Sequence, residues 1–376
     1  MDKAALPVHR KAKQNFAWGI PLPTVEDIAG RPLIWVLKGA RTGDTAQAME
    51  LALQVALQVD GRVEGKQLAF NAFHVLPNWL TGARVFHLTP QAKSLLRPPW
   101  PDLVVATGKR TAPVALWIKQ QSGGHARLVQ LGRPRMALKD FDLVVTTPQY
   151  ALPAAANVIE VALPFARPRV VAAADIAAFT EEWSKLPRPW ILGVIGGAKF
   201  PLRLNDSDLA GFGAALNTRS QQTGGSVILL DSPRSPEGAI DKAAYYIRAA
   251  KWLYRRGQSV NPYQAALSLC DELVVTSDSV SMVSEMLLTG KPTSIFRLPV
   301  SKFLPRWSAR SGIGAALARS GLLHPPRDVN GFMMRLIDAG VLGDTGRAGK
   351  PDRLEKPDSM HQLVVDRIIR LLTIFP

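Results

Sequence analysis

The chain reads VVTSDSVSMVSE over residues 274–285 and TGKP over residues 289–292. The apolar start predicts a buried strand that ends in a turn of small hydroxyl residues, and residues 282–288 then predict a helix closed by Gly290 and Pro292. A helix that begins just beyond a strand directs free backbone N–H groups and its positive dipole end towards the carboxyl edge of the sheet, which suits a phosphate. A capped helix without any ligand fits the same pattern, because Ser and Asp are common caps.

The same order of apolar run, polar turn and helix-like stretch recurs along the chain. The apolar runs lie at residues 32–37, 101–106, 126–131, 141–146, 189–195, 226–230, 272–276 and 294–298. Near-continuous apolar strands that alternate with helices are typical of parallel sheets covered on both faces. We therefore predict an α/β protein with two Rossmann-like domains whose parallel sheets face a central cleft.

The expected domains are an N-terminal unit over residues 1–180 and a C-terminal unit over residues 187–344. The polar segment 345–358 predicts a linker because it is rich in Gly, Pro and charge. Apolar residues at helical spacing predict a final helix over residues 359–376 that packs on the body. An interfacial membrane helix is the alternative for that segment, although its polar face is thin.

Composition narrows the class of partner. The 376 residues are 47% hydrophobic and carry a formal net charge of +16, spread over both halves, which indicates an anionic partner: nucleic acid, acidic lipid or a phosphorylated substrate. Nucleic acid is the least favoured, since no recognisable binding motif occurs. The single cysteine, Cys270, excludes intramolecular disulfides. Without a secretory signal or a run of 18 apolar residues, we expect a cytoplasmic protein, at most peripheral on the cytoplasmic face of the inner membrane.

Three polar clusters follow predicted strands in the second half. They are Gly196, Gly197 and Lys199; Ser232 and Arg234; and Ser277, Asp278, Ser279, Ser281 and Glu285. Paired glycines let a backbone approach a pyrophosphate closely, the cations neutralise it, and Glu285 can accept a hydrogen bond from a sugar hydroxyl. Strand ends need turn residues in any protein. Three such clusters in one half favour a nucleotide-diphosphate site.

The first half carries candidates for the acceptor side. They are Gly43, Asp44 and Gln47 after the first strand, and Gly108, Lys109 and Arg110 after another. Asp44 is the candidate general base for an acceptor hydroxyl, with a helix cap as the alternative. The two cations suit an acceptor phosphate or are solvated charge. Neither the dinucleotide fingerprint nor a P-loop is present.

Metal sites are not expected. Asp206 and Asp208 have a spacing that some sugar transferases use for a divalent metal, but they precede a helix-like stretch, so capping explains them better. The six histidines are scattered and no C-x-x-C occurs. We predict no metal and no tightly bound cofactor, with a nucleotide-diphospho-sugar as donor substrate.

Two basic-aromatic segments, residues 76–100 and 297–310, suit an anionic membrane surface or a lipid-linked acceptor. A packed surface between domains accounts for them equally well.

A set of short segments together resembles the mitochondrial-fission (elongated-mitochondria) family, which is named for a plant member and widespread in bacteria. The segments are Trp35-Val36-Leu37, Gly43-Asp44 with Gln47, residues 101–104, Gly108-Lys109-Arg110, Asn261-Pro262-Tyr263, residues 275–285 and residues 289–292. The resemblance covers roughly Leu33 to Pro299, and the segment 275–292 is its most specific part. Many members carry Gly-His where this chain has Gly43-Asp44, and Arg-Arg near Pro233-Arg234. The family in turn is similar to two-domain glycosyltransferases of the GT-B type, such as the enzyme that adds N-acetylglucosamine to a polyprenyl-linked peptidoglycan precursor.

The resemblance implies that the C-terminal domain holds a nucleotide sugar and that Glu285, in its Ser-Glu…Gly-Lys-Pro context, contacts the ribose. It implies a glycosyltransferase that passes the sugar to an envelope glycan or glycolipid acceptor. Two alternatives stay open: a nucleotide-sugar epimerase, and a non-catalytic scaffold of the same fold that binds membrane or protein partners.

Overall fold

The apolar runs form the central strands of two parallel sheets. The computed structural model describes residues 30–39, 42–166, 171–198, 200, 202–258, 260–300, 312–324, 326–344, 349 and 357–373. The first 29 residues, most of the predicted linker, residues 301–310 and Lys199 lie outside this part. The predicted fold class, α/β with two Rossmann-like parallel sheets, is confirmed.

The first sheet holds six strands in the order β2-β1-β3-β4-β5-β6, all parallel. They are β1 (Leu33–Lys38), β2 (Arg62–Gln67), β3 (Leu103–Thr107), β4 (Arg127–Leu131), β5 (Leu143–Thr146) and β6 (Val158–Glu160). The helices of this half are α1 (Thr42–Val59), α2 (Asn78–Thr81), α3 (Pro90–Ser94) and α4 (Ala112–Gln121). Short 3-10 turns lie at residues 72–75, 138–140 and 148–150.

The second sheet also holds six parallel strands, in the order β12-β11-β10-β7-β8-β9. They are β7 (Trp190–Ile195), β8 (Ser226–Asp231), β9 (Lys251–Tyr254), β10 (Glu272–Thr276), β11 (Thr293–Phe296) and β12 (Gly343–Asp344). The helices are α5 (Ala173–Trp183), α6 (Asp206–Thr223), α7 (Ala239–Ala244), α8 (Tyr263–Leu269), α9 (Val280–Leu287), α10 (Gly312–Arg319), α11 (Val329–Asp338) and α12 (Pro357–Thr373).

Each sheet has one point where the strand order reverses. In the first sheet β1 lies between β2 and β3, and in the second β7 lies between β8 and β10. The two loops that leave such a neighbouring pair run to opposite faces of the sheet, so a crevice opens between them at the carboxyl edge. The switch points are therefore where a ligand is expected.

Helix α5 packs with the second half. Phe179 and Trp183 are buried in the same core as Trp190 and Leu192 of β7. The boundary expected at residue 180 thus falls inside this helix, whose apolar face requires the second sheet for its burial.

The final helix, α12, returns to the first half. Its residues Val364 and Ile368 are buried against Leu51 and Val55 of α1, and the His361 ring stacks on Phe165 with centroids 4.0 Å apart. The apolar face of α12, which an interfacial membrane helix would turn to the lipid, therefore packs on the first half of the chain. Within the described residues, no helix is long and apolar enough to cross a membrane.

The Asp206–Asp208 pair lies at the start of α6. Asn205 and Asp208 form a reciprocal capping box there, and Asp206 pairs with Lys242 at 2.6 Å. Capping accounts for the Asp208 carboxylate, as expected, and an ion pair accounts for that of Asp206.

Candidate functional site

The glycine pair after β7 and the serine turn after β10 form one hydrogen-bonded unit at the switch point of the second sheet. The Gly196 N–H donates to Thr276 Oγ1 at 2.8 Å, and the Gly197 N–H donates to Asp278 Oδ2 at 3.0 Å. Thr276 Oγ1 in turn donates to Asp278 Oδ1 at 2.7 Å. Thr276 was not anticipated from the sequence, although its place at the strand end two residues before Asp278 is a readable signal.

Asp278 is a buried acid with one cation beside it. Its side chain is 2% exposed, and Arg234 Nη2 lies 3.7 Å from Oδ2. Burial raises the pKa of the Asp278 carboxyl above its ordinary value, and the Thr276 hydroxyl and the Arg234 charge lower it only in part. The switch point therefore carries a carboxylate whose charge is poorly solvated.

The two glycines are required by internal packing. A Cβ placed on Gly196 would lie 2.1 Å from Asp278 Oδ1, and one on Gly197 would lie 2.1 Å from the Arg234 carbonyl oxygen. Their N–H groups already donate to Thr276 and Asp278. The sequence predicted that these two amides bind a phosphate. In this arrangement they do not point to a free space, because the turn after β10 lies against them and accepts their hydrogen bonds.

The turn after β8 fixes the direction of Arg234. The Ser232 N–H donates to Ser235 Oγ at 2.8 Å, and the Arg234 N–H donates to Ser232 Oγ at 3.3 Å. Ser235 Oγ also lies 2.7 Å from the Ile195 carbonyl oxygen, which ties the turn to β7. Ser232 thus acts on the loop, and it holds the backbone of Arg234 next to the switch point.

The Arg234 guanidinium reaches the start of α9. Its Nη2 donates to Ser279 Oγ at 3.3 Å, while the side chain stays 53% exposed. Ser279 is the N-cap residue of α9 but makes no capping hydrogen bond through its side chain to any described group. The first-turn N–H groups of a helix lack intrahelical partners. An exposed cation and an uncapped helix start therefore lie side by side.

Arg234 also lines a groove that includes Asn205, at the start of α6. The groove measures about 420 Å³, within the range of small-ligand sites. It is lined by Ala198, Leu202, Arg203, Leu204, Asn205, Arg234 and Pro236.

Two further members of the β10 turn have different surroundings. Ser277 is buried and its Oγ accepts from the Leu298 N–H at 3.0 Å, so its hydroxyl serves the turn. Ser281 faces the first half of the chain: Gln47 Nε2 donates to Ser281 Oγ at 3.2 Å, and a Cβ on Gly43 would lie 3.4 Å from the same oxygen. The starts of α1 and α9 therefore meet across the two halves.

Asp44 lies in the first turn of α1 and is half-buried. Its backbone carbonyl accepts from Thr107 Oγ1 at 3.3 Å. Since Thr107 ends β3, this bond places Asp44 at the switch point of the first sheet. Gly108 follows directly, with a φ of 76° that favours glycine.

Glu285 lies one turn beyond Ser281, on the same face of α9. It is half-buried, and its Oε2 accepts from Gln264 Nε2 of α8 at 3.3 Å. Lys291, from the motif that carries the resemblance, instead serves the end of α8: its Nζ donates to the carbonyl oxygens of Leu267 at 2.8 Å and Cys270 at 2.6 Å. The most specific sequence motif thus combines a lysine that closes α8 with a half-buried glutamate one turn beyond Ser281.

The basic-aromatic segment 76–100 is divided between core and surface. Trp100 packs against Trp35 and Trp117, with ring centroids 5.9 and 5.8 Å apart. Trp79 is 67% exposed, and Leu80 beside it is exposed as well. In the described part of the chain, no group of three or more His, Cys, Asp or Glu side chains is arranged to hold a metal ion.

Fold and site together define a two-domain α/β protein with a crevice at paired switch points. The chain belongs to the family described as Mitochondrial fission ELM1, whose model matches residues 42–325. It is 24% identical over 305 residues to the uncharacterised protein RP120 of Rickettsia prowazekii (strain Madrid E), covering 71% of this chain and 83% of that protein. It is 29% identical over 234 residues to the mitochondrial fission protein ELM1 of Arabidopsis thaliana, covering 52% of this chain and 51% of the plant protein.

Solved structures with a similar fold include glycosyltransferases and epimerases. MurG of Acinetobacter baumannii has a TM-score of 0.42 at 14% identity, covering 91% of this chain and 93% of that one. The ADP-heptose LPS heptosyltransferase II of E. coli has a TM-score of 0.44 at 12% identity, covering 90% and 98%. The UDP-GlcNAc 2-epimerase of Neisseria meningitidis, bound to UDP-GlcNAc, has a TM-score of 0.47 at 9% identity, covering 90% and 100%. The likeness concerns the fold alone.

Proposed function

We propose that this protein is a GT-B type glycosyltransferase that binds a nucleotide-diphospho-sugar in its second half and passes the sugar to an acceptor held by its first half. The observation that carries the proposal is the meeting of two helix starts, one from each switch point, through Gln47 and Ser281. Arg234 lies beside the start of α9 and Asp44 lies in the first turn of α1. A leaving diphosphate and an attacking hydroxyl need such groups close together.

On the donor side, the diphosphate would bind the first-turn N–H groups of α9 together with the Arg234 guanidinium. Ser279 Oγ, already within reach of Arg234, would donate to a phosphate oxygen. Glu285, one turn along the same face, would accept from the ribose hydroxyls. As the bond between the anomeric carbon and the diphosphate breaks, the helix dipole and Arg234 would stabilise the charge that develops on the leaving oxygen.

On the acceptor side, the Asp44 carboxylate would take the proton from the acceptor hydroxyl as its oxygen attacks the anomeric carbon. Lys109 and Arg110, which follow β3, would hold an acidic group of the acceptor. The exposed Trp79 and Leu80 support an envelope glycolipid acceptor and peripheral contact with a membrane, since aromatic and apolar side chains favour the interface.

A binding-only scaffold is the second candidate, and one observation favours it. The Gly196 and Gly197 amides and the Asp278 carboxylate satisfy one another, so part of the expected phosphate cradle is already occupied by the protein. A scaffold would retain nucleotide or membrane binding without turnover.

Calorimetric titration with UDP, ADP, GDP and dTDP tests the proposal. We expect one of them to bind the folded chain, and binding to weaken in the Arg234→Gln variant. Incubating the matching nucleotide sugar with and without acceptor extracts then separates the candidates: a transferase needs acceptor, an epimerase isomerises the donor alone, and a scaffold does neither. A well-folded sample that binds none of the four nucleotides would contradict the proposal.

A further inference from the structure

Three loops from distant parts of the chain are tied together beside the first sheet. Asn78 Nδ2 donates to the carbonyl oxygens of Lys109 at 2.7 Å and Pro134 at 2.9 Å, which joins the loops after β3 and β4. A Cβ on Gly321 would lie 2.4 Å from the Met136 carbonyl carbon, so the segment after α10 packs directly on the β4 loop.

A second set of contacts adds the loop after β5. Arg133 donates through Nη2 to the Tyr150 carbonyl oxygen, and the Asp328 N–H donates to the Gln149 carbonyl oxygen at 2.8 Å. Arg133 and Arg327 both lie over the Tyr150 ring, with guanidinium carbons 5.9 and 5.5 Å from its centroid.

These contacts assemble what we call the basic cluster: Lys109, Arg133, Arg135, His324 and Arg327. The first three come from the first half of the chain and the last two from the second. The sequence signal for Arg133 and Arg135 is the same as for Lys109 and Arg110, a basic pair just after an apolar strand. The predicted acceptor site nevertheless did not include Arg133 and Arg135, and no sequence pattern indicated His324 or Arg327.

The charges of Lys109, Arg135 and Arg327 define the electrostatics of the basic cluster. Among the described residues, no Asp or Glu lies within ion-pair distance of Lys109, Arg135 or Arg327. The Asp328 carboxylate, adjacent in sequence, instead accepts from the Gly331 N–H at 2.8 Å as the cap of α11. Arg133 is 8% exposed. Like charges that are held close together favour an anion bound between them.

The ionisation of the cluster reflects this repulsion. Burial, and then the charge of Arg135, lower the pKa of Arg133 to about 10. Burial, followed by Arg135 and Arg133, lowers the pKa of His324 to about 4. The pKa of Lys109 is lowered by burial and then by Arg135 and Arg110. A bound anion would stabilise the charged form of each of these groups and so raise its pKa.

We propose that the basic cluster is a binding site for the phosphate or pyrophosphate group of the acceptor, completed only when both halves of the chain contribute. The cluster lies beyond the carboxyl ends of β3, β4 and β5, on the side that the proposed function gives to the acceptor, and in this respect the inference rests on that function. A phosphorylated soluble glycan and a lipid-linked phosphate share the chemistry. The exposed Trp79 and Leu80 follow Asn78, which contacts Lys109, and their apolar surfaces would suit the lipid of a lipid-linked phosphate.

Calorimetric titration of the full chain with inorganic pyrophosphate tests the site. The titration is carried out on the Arg234→Gln variant, so that the donor side does not contribute, and then with Arg135→Gln or Arg327→Gln added. Each addition is expected to weaken binding at least about tenfold, because a charge-assisted contact is lost. Lys139→Gln is the matched control, since Lys139 is exposed in the same half and neighbours Asp140; it is expected to change the affinity less than about twofold.

A second readout follows the His324 ring by NMR. Bound pyrophosphate is expected to raise the pKa of His324, and a purely structural role of the arginines would not produce that shift. Flotation with vesicles of phosphatidylcholine, with or without phosphatidic acid, distinguishes the sources: binding that needs phosphatidic acid and Arg135 assigns a lipid phosphate, and pyrophosphate binding without flotation assigns a soluble one.

Unchanged pyrophosphate affinity in both Arg135→Gln and Arg327→Gln would overturn the inference, as would loss of all pyrophosphate binding through Arg234→Gln alone. A chain that binds pyrophosphate at the cluster but no nucleoside diphosphate would keep this site and contradict the proposed function. Nucleoside diphosphate binding without the pyrophosphate site would do the reverse.

Discussion

The two switch points of this molecule share a topology and differ in how they handle charge. A glycine follows the first strand at each: Gly39 after β1 and Gly196 after β7. A Cβ on Gly196 would meet the Asp278 carboxylate, whereas no described atom lies within 4 Å of a Cβ on Gly39. In the second half, the Asp278 carboxylate lies at the strand ends and accepts from the Gly197 N–H, with Arg234 beside it. In the first half, a Cβ on Gly39 at the end of β1 would meet no described atom, and the cations Lys109 and Arg135 follow β3 and β4.

The difference indicates that topology alone does not make a phosphate site. At the carboxyl end of β7 the glycine amides already donate to Thr276 and Asp278, so an anion bound there as proposed would depend on Arg234 and the start of α9. Beside the first sheet, an anion bound as proposed would lie near Lys109 and Arg135, and neither has an Asp or Glu within ion-pair distance among the described residues. The chain would therefore bind two anionic groups in two different ways.

The largest difference between the two switch points is expected when a methyl group is added at each glycine. Gly196→Ala is expected to destabilise the fold by about 3 kcal/mol or more, because the new Cβ overlaps the buried Asp278 carboxylate and the turn must move. Gly39→Ala is the matched control and is expected to change stability by less than about 1 kcal/mol. Urea unfolding of both variants measures this. Equal effects would show that the two edges are packed alike.

Removing the proposed base separates chemistry from binding. Asp44→Asn is expected to lower turnover by about 100-fold or more, since the amide cannot take the acceptor proton, while donor affinity stays within about twofold. Steady-state kinetics with titration of the nucleotide checks both numbers. Full turnover in this variant would assign Asp44 to capping α1.

Removing the donor-side cation tests the second switch point. Arg234→Gln is expected to weaken nucleoside diphosphate binding by about 10- to 100-fold through the lost charge-assisted hydrogen bond. Arg255→Gln is the control, because Arg255 is an exposed arginine of the same half that pairs with Asp241. An equal loss in both variants would indicate a general field effect.

The smallest expected effect concerns acid stability of the cation-rich side. The pKa of His324 is about 4 in the folded chain, against an ordinary value of 6.5. Between these values the unfolded chain binds more protons, so stability falls as the pH drops from 6.5 to 4. His324→Gln is expected to remove roughly 1 to 2 kcal/mol of that loss, less than the full shift implies because the ring is only partly buried. Urea unfolding at pH 7 and pH 4.5 gives the difference, and parallel curves would contradict it.

The sequence predicted the central strands well and missed the edges. Central strands such as β7 and β10 are covered on both faces and read as apolar runs, whereas the edge strands β2, β6, β9 and β12 do not. For example, Arg62–Gln67 has charged or polar residues at most positions because one side of an edge strand faces solvent. Pattern alone could not distinguish it from a loop.

The placement of the candidate site residues was predictable where it depends on strand ends and unpredictable where it depends on distant loops. The sequence predicts that Arg234, Ser279 and Asp44 lie beyond parallel strands, and the structure places them there. Two contacts could not be predicted: the hydrogen bond between Gln47 and Ser281, and the one from the Gly197 N–H to Asp278. They depend on how the two halves and the two turns are placed in space, which no local sequence pattern encodes.

Binding of a nucleoside diphosphate at the start of α9 is tested by hydrogen–deuterium exchange, at a nucleotide concentration that saturates the wild-type chain but not a variant with a much higher Kd. We expect slowed exchange of the first-turn amides of α9, residues 280–282, in the wild-type chain and much weaker protection in Arg234→Gln. Protection at residues 108–110 and 133–135 instead, with residues 280–282 unchanged, would contradict it.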